Sequence, residues 1–163
     1  MTLYALTPEW QKAAAKVFRE DPTLERIFAK VNGVPVMLIR ANHSAGVERD
    51  LYLLNKLENG KLVEDGFVSK QEAEKKATWL LAGSYETWKN ILTGKKIFIE
   101  CFLGGEVRLL KGDFAGIMKI AAQGNRLVQV FTKNEAVWPD ELPQKELEAY
   151  RDNFQKWTAG LSY

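Results

Sequence analysis

The sequence predicts an α/β (α+β) domain whose five-stranded, mostly antiparallel sheet carries packed helices. Three observations lead there. Apolar residues recur at helical spacing near both ends of the chain, the middle shifts to short β-rich runs, and Asn59-Gly60 divides two of those runs as a hairpin turn would. The order of helices, strands, helices, one more strand and closing helices suits a single layered domain.

Thr7 followed by Pro8 reads as an N-cap with proline at the first helical position. Trp10, Ala13, Ala14, Val17 and Phe18 then share one helical face. Asp21-Pro22 restarts the pattern, Leu24, Ile27, Phe28 and Val31 form the next stripe, and Asn32-Gly33 closes it as a C-cap pair. Residues 34–41 are an apolar, β-branched run, with Pro35 at an edge or strand-opening position. Residues 50–57 and 61–68 flank the Asn59-Gly60 turn. Lys70 to Lys76 is a solvated turn or a short helix, and 77–82 is a fourth strand ended by Gly83-Ser84.

Ser84 caps a helix carrying Trp88, Ile91 and Leu92, which stops at Thr93-Gly94. Residues 97–103 are apolar on nearly every side and end at Gly104-Gly105. Residues 106–111 supply the fifth strand. A helix from Phe114 places Ile117, Met118 and Ala121 on one stripe, with Gly124 as a break or cap, and 127–131 is apolar and fits either a strand or a helix. Two prolines make 138–143 a linker. The last helix, 144–157, aligns Leu147, Tyr150, Phe154 and Trp157. The chain thus divides into a body, 1–137, and a C-terminal linker with an amphipathic helix, 138–163.

Length and charge narrow the function. At 163 residues the chain builds its own core, and 23 basic against 21 acidic residues give a net charge of +2, too little for a phosphate-binding field. Nucleic acid is not an expected partner. A single cysteine fits a reducing compartment, and with no signal peptide or membrane-length apolar run the expected location is cytoplasmic.

Catalytic chemistry is hard to assemble from these residues. His43 is the one histidine and Cys101 the one cysteine, too few for a Cys/His zinc site. Gly94-Lys95 lacks the earlier glycine of a phosphate-binding loop, since Lys89 stands there, and Ser84 directly after Gly83 breaks the nucleophile-elbow spacing. Cys101 lies in an apolar segment that disfavours a thiolate. The expectation is a protein that is not an enzyme and needs no cofactor or metal.

Residues 77–120 resemble the sterol carrier protein-2 family. Three pieces carry the resemblance: Ala77-Thr78-Trp79-Leu80-Leu81-Ala82-Gly83-Ser84 leading into a helix, the helix ending Ile91-Leu92-Thr93-Gly94-Lys95, and the glycine-led strand from Gly105 to Asp113 running into Phe114-Ala115-Gly116-Ile117-Met118-Lys119-Ile120. The resemblance implies helices on one face of the sheet, an apolar tunnel for fatty acyl chains, sterols or similar lipids, and no catalytic residues. The 105–112 stretch is one residue longer than the family pattern, which suggests a bulge and leaves either Val107 and Leu109 or Arg108 and Leu110 pointing inward. Residues 138–163 do not align with the family pattern.

Trp79, Leu81, Trp88, Ile91, Phe98, Cys101, Phe102, Ile117 and Met118 are the expected lipid-binding residues, Ala77 sharing the inward face with Trp79 and Leu81. Ile97, Ile99 and Leu103 support them, because a helix apolar all round is buried or faces a ligand. The expected partner is a lipid or other apolar small molecule. Lys95 and Lys96, and Lys12, Lys16 and Arg19, suit a transient membrane surface or simply a solvated face. The closing helix either lids the tunnel or docks on the domain. The competing view is an interaction module with a filled core, in which apolar Leu80 and Ala82 on the outer sheet face, or the final helix, build a homodimer.

Overall fold

A computed structural model describes residues 2–161. The order is α1 (Pro8–Arg19), α2 (Pro22–Ile27), β1 (Pro35–Ile39), β2 (Leu51–Glu58), β3 (Lys61–Val68), α3 (Lys70–Lys76), β4 (Trp79–Gly83), α4 (Tyr85–Leu92), α5 (Phe98–Leu103), β5 (Arg108–Lys111), α6 (Phe114–Ala121), α7 (Gly124–Thr132) and α8 (Gln144–Ala159). Single 3-10 turns occur at His43–Ala45 and Pro139–Glu141. The strands form one sheet in the order β3-β2-β1-β4-β5. Within that sheet only the β1–β4 pair is parallel.

Local chemistry explains most boundaries. Thr7, Asp21, Ser69, Ser84 and Asp113 each accept a backbone N–H at the first turn of α1, α2, α3, α4 and α6, satisfying donors that a helix start leaves orphaned. Asn59 and Gly60 have φ of 52° and 82°, the left-handed pair that a two-residue hairpin needs. Pro35 opens β1, a central strand, so its opening position, not an edge, is what tolerates its missing N–H. α2 ends earlier than its apolar stripe: Phe28 caps it, and Val31 and the Asn32-Gly33 pair lie beyond it.

The fifth strand settles its register through an irregularity. Leu81 pairs with Leu109 and Leu80 with Lys111, so the ladder slips by one residue and Leu110 bulges out, 51% exposed. Val107 and Leu109 therefore face the core. The stretch 127–131 is helical, within α7.

Both faces of the sheet are covered. On one, Val36, Leu38, Tyr52, Leu54, Leu80 and Ala82 pack with Ala73 of α3 and with Ala77. The 70–76 segment is thus a helix, and its one buried residue, Ala73, seals this face. Leu80 and Ala82 are buried, which removes the exposed outer patch expected for a dimer, and Ala77 lies with them instead of with Trp79 and Leu81. The opposite face carries the larger core, to which α1, α2, α4, α5, α6, α7 and α8 all contribute.

α8 docks tightly. Tyr150 Oη donates toward Ala5 O at 3.0 Å and Leu6 O at 3.2 Å, and Arg151 donates from Nη2 to His43 O at 2.7 Å and from Nε to Glu48 Oε1 at 3.0 Å. The linker is held too: Trp138 meets Trp10 and Tyr85 edge-on at 6.1 and 5.8 Å. Lys89 and Tyr85 pin Asp140 on the 3-10 turn, at 2.8 and 2.6 Å. Against the upward push of burial, these two partners hold the Asp140 carboxyl below its usual range.

Candidate functional site

The many-helix face does not close. Between it and the helices lies a cavity of about 140 Å³. α1 walls it with Ala14, Ala15 and Phe18, and the sheet with Met37, Leu53, Leu57, Leu62 and Leu81. α4 contributes Trp88, Ile91 and Leu92, and α5 contributes Phe98. Ile117, Ile120 and Ala121 come from α6, and Leu127, Val130 and Phe131 from α7. Gln11 and Asn55 are the two polar side chains in this wall among the described residues.

The gap has a geometric cause. Trp88 is 2% exposed and its indole N–H is spent on Leu38 O at 3.0 Å, so the ring turns only carbon toward the cavity. Trp88, Phe98, Phe102 and Phe114 then stack in sequence at 6.1, 6.0 and 5.7 Å, a ladder that links α4, α5 and the start of α6. Small residues Ala14, Ala15 and Ala121 stand where bulk would have filled the space.

Of the nine residues expected in the wall, Leu81, Trp88, Ile91, Phe98 and Ile117 stand in it. Trp79 does not. Its ring lies against Gly33, Gly112 and Gly116, where a Cβ would collide with it, and its N–H reaches Asp113 Oδ1 at 3.1 Å. The Gly116 N–H and the Trp79 N–H together hold the Asp113 carboxyl below its usual range. Cys101 is buried behind the wall, where desolvation pushes its thiol up to about 11. Phe102 is an inner rung of the ladder, and Met118 packs partly buried against the core outside the wall. Ile97 and Leu103 are 44% and 64% exposed, so the apolar circumference at α5 reaches the surface on one side.

α1 and α7 are the walls that sequence reasoning missed. The sequence placed Ala14 on the apolar face of this helix without Ala15, and only the fold sets the pair against the sheet. α8 supplies no residue to the wall among those described, and its hydrogen bonds tie it to the body. No group of three or more His, Cys, Asp or Glu placed to hold a metal occurs among the described residues, and no helix there is long and apolar enough to cross a membrane.

No protein-family model matches the sequence, and no curated protein matches it either. Solved structures do match in shape. A conserved hypothetical protein from Thermus thermophilus, named as a possible sterol carrier protein, superposes with a TM-score of 0.72 at 20% identity, over 83% of this chain and 92% of that one. A crystal structure of sterol carrier protein 2 gives 0.69 at 18% identity, over 80% of this chain and 99% of the other. The sterol carrier protein domain 2 of Helicoverpa armigera gives 0.53 at 18%, over 80% and 97%. The five-stranded mixed sheet, its helical cover and these superpositions agree: the chain has the sterol carrier protein 2 fold.

Proposed function

We propose that this protein binds a lipid or similar apolar molecule in the cavity and carries it unchanged. The observation that carries the reading is the wall itself: a space of about 140 Å³ bounded by carbon except at Gln11 and Asn55. That volume is close to the ~150 Å³ of an apolar cavity that takes benzene, so a chain longer than roughly six carbons extends beyond it through the open side of the pocket. Burying roughly six carbons at ~0.8 kcal/mol each yields ~5 kcal/mol gross, before association and chain ordering are subtracted. Shape and area then select the guest. The likeness in fold to proteins named sterol carriers supports this reading.

The test is organic extraction of purified protein followed by titration of the stripped protein with 1-decanol. A consistent apolar species near one per chain, or saturable one-to-one uptake, is expected. Protein that neither carries nor takes up any apolar guest contradicts the proposal.

A second reading has its own observation. Leu103, Leu110 and Phe114 are each more than half exposed, an apolar surface suited to self-association or to brief contact with a membrane during transfer. A mass that stays monomeric at every concentration, together with no binding to vesicles, would remove it.

A further inference from the structure

The two polar residues of the cavity wall belong to a small cluster at one corner. Asn55 on β2 stands directly opposite Asp65 on β3, and Asp65 is only 13% exposed in its side chain. Its two carboxylate oxygens are taken separately, one by the Gln11 amide and the other by the Arg19 guanidinium. Arg19 is fixed further by donating from Nε to Leu62 O at 3.1 Å. Gln11 is 5% exposed, a buried amide that faces the cavity while its N–H bonds outward to Asp65. The side-chain amide of Asn55 has no hydrogen-bond partner among the described residues, although it borders the cavity.

This corner is built for a particular head group. Its one cation is already neutralised by Asp65, and the uncommitted groups are the Asn55 amide and the carbonyl of Gln11. A hydroxyl can donate to one and accept from the other, whereas a carboxylate finds no free cation and meets the charge of Asp65. An unpaired amide beside an apolar chamber gains from a polar guest that satisfies it. We infer that Asn55, Gln11 and Asp65 form a head-group subsite selecting apolar molecules with an uncharged, hydroxyl-bearing end over free fatty acids. The inference rests on the reading that the cavity takes an apolar chain.

Calorimetric titration of stripped protein with 1-decanol, decanoate and decane at neutral pH separates the two. The subsite predicts decanol bound at least tenfold more tightly than decanoate, and Asp65→Asn, which frees Arg19, shifting that ratio toward decanoate by tenfold or more. Asn55→Leu lowers decanol affinity about tenfold, equivalent to about 1.4 kcal/mol, and leaves decane unchanged; this variant carries the test should the Asp65 change impair folding. If decanoate binds as well as decanol to the unaltered protein, or neither substitution moves the ratio, the head-group subsite is overturned while the cavity still binds. If no ten-carbon molecule enters at all, the binding reading falls and takes this inference with it.

Discussion

The two faces of the sheet are made from alternate residues of the same strands, yet they meet opposite fates. On one side a seven-residue helix, α3, places Ala73 in one buried cluster with Val36, Leu38, Leu54 and Ala82. On the other, several helices converge, with Trp88, Phe98 and Phe131 in the wall, and a cavity remains. Small residues allow close approach when one short helix lies flat. The same kind of small residue, at Ala14, Ala15 and Ala121, borders open space where several helices converge. Packing density, not hydrophobicity, separates the two sides.

Removing bulk tests this first and with the largest effect. Leu54→Ala, at a fully buried position of the sealed face, is expected to cost about 2–5 kcal/mol by denaturant unfolding. Leu81→Ala removes the same atoms from a side chain that already borders open space and has fewer partners to lose, so its cost lies at the low end of that range. Equal costs would erase the distinction between the faces. Adding bulk sharpens it. Ala82→Leu overpacks the sealed side by about 1–3 kcal/mol, whereas Ala121→Leu grows into the cavity, keeps stability within about 1 kcal/mol, and reduces decanol uptake at least tenfold. A decanol isotherm unchanged by the Ala121 substitution would place the guest elsewhere.

Smaller effects concern the attachments around the cavity. Tyr150→Phe deletes hydroxyl contacts to Ala5 and Leu6 and should cost about 1 kcal/mol in stability without changing the rate of decanol release. Faster release would give α8 a gating role.

The mildest effect is on acid stability. The Asp113 carboxyl titrates lower in the folded protein than in the unfolded chain, so the unfolded chain takes up protons first. Its stabilising share is complete above the ordinary aspartate range near pH 4 and is lost as pH falls through the native value. Asp113→Asn should flatten the fall of melting temperature between about pH 5 and pH 2, and an unaltered slope would remove Asp113 from the account.

Strand and helix starts were readable because their signals are local. The Thr7 and Ser84 caps and the Asn59-Gly60 turn each act within a few residues, and all are found. The bulge of β5 was visible as one residue too many, but its register needed Leu81 as a partner. Trp79 shows the limit. It alternates inward with Leu81, yet Gly33 meets Gly112 and Gly116, distant from it in the chain, around a ring that lies outside the cavity wall. α3 was readable only as a turn or a short helix, because a charged segment with one buried alanine has no apolar period to choose between them. The polar corner was invisible because Gln11, Asn55 and Asp65 acquire meaning only when α1 lies against β2 and β3.

The most direct test of the hollow face is methyl NMR during titration with 1-decanol. The account predicts saturable, one-to-one shifts at Leu81, Ile91 and Ile117, with Val36, Leu38 and Leu54 across the sheet left still. Shifts spread evenly over both sets, or none that saturate, would contradict it.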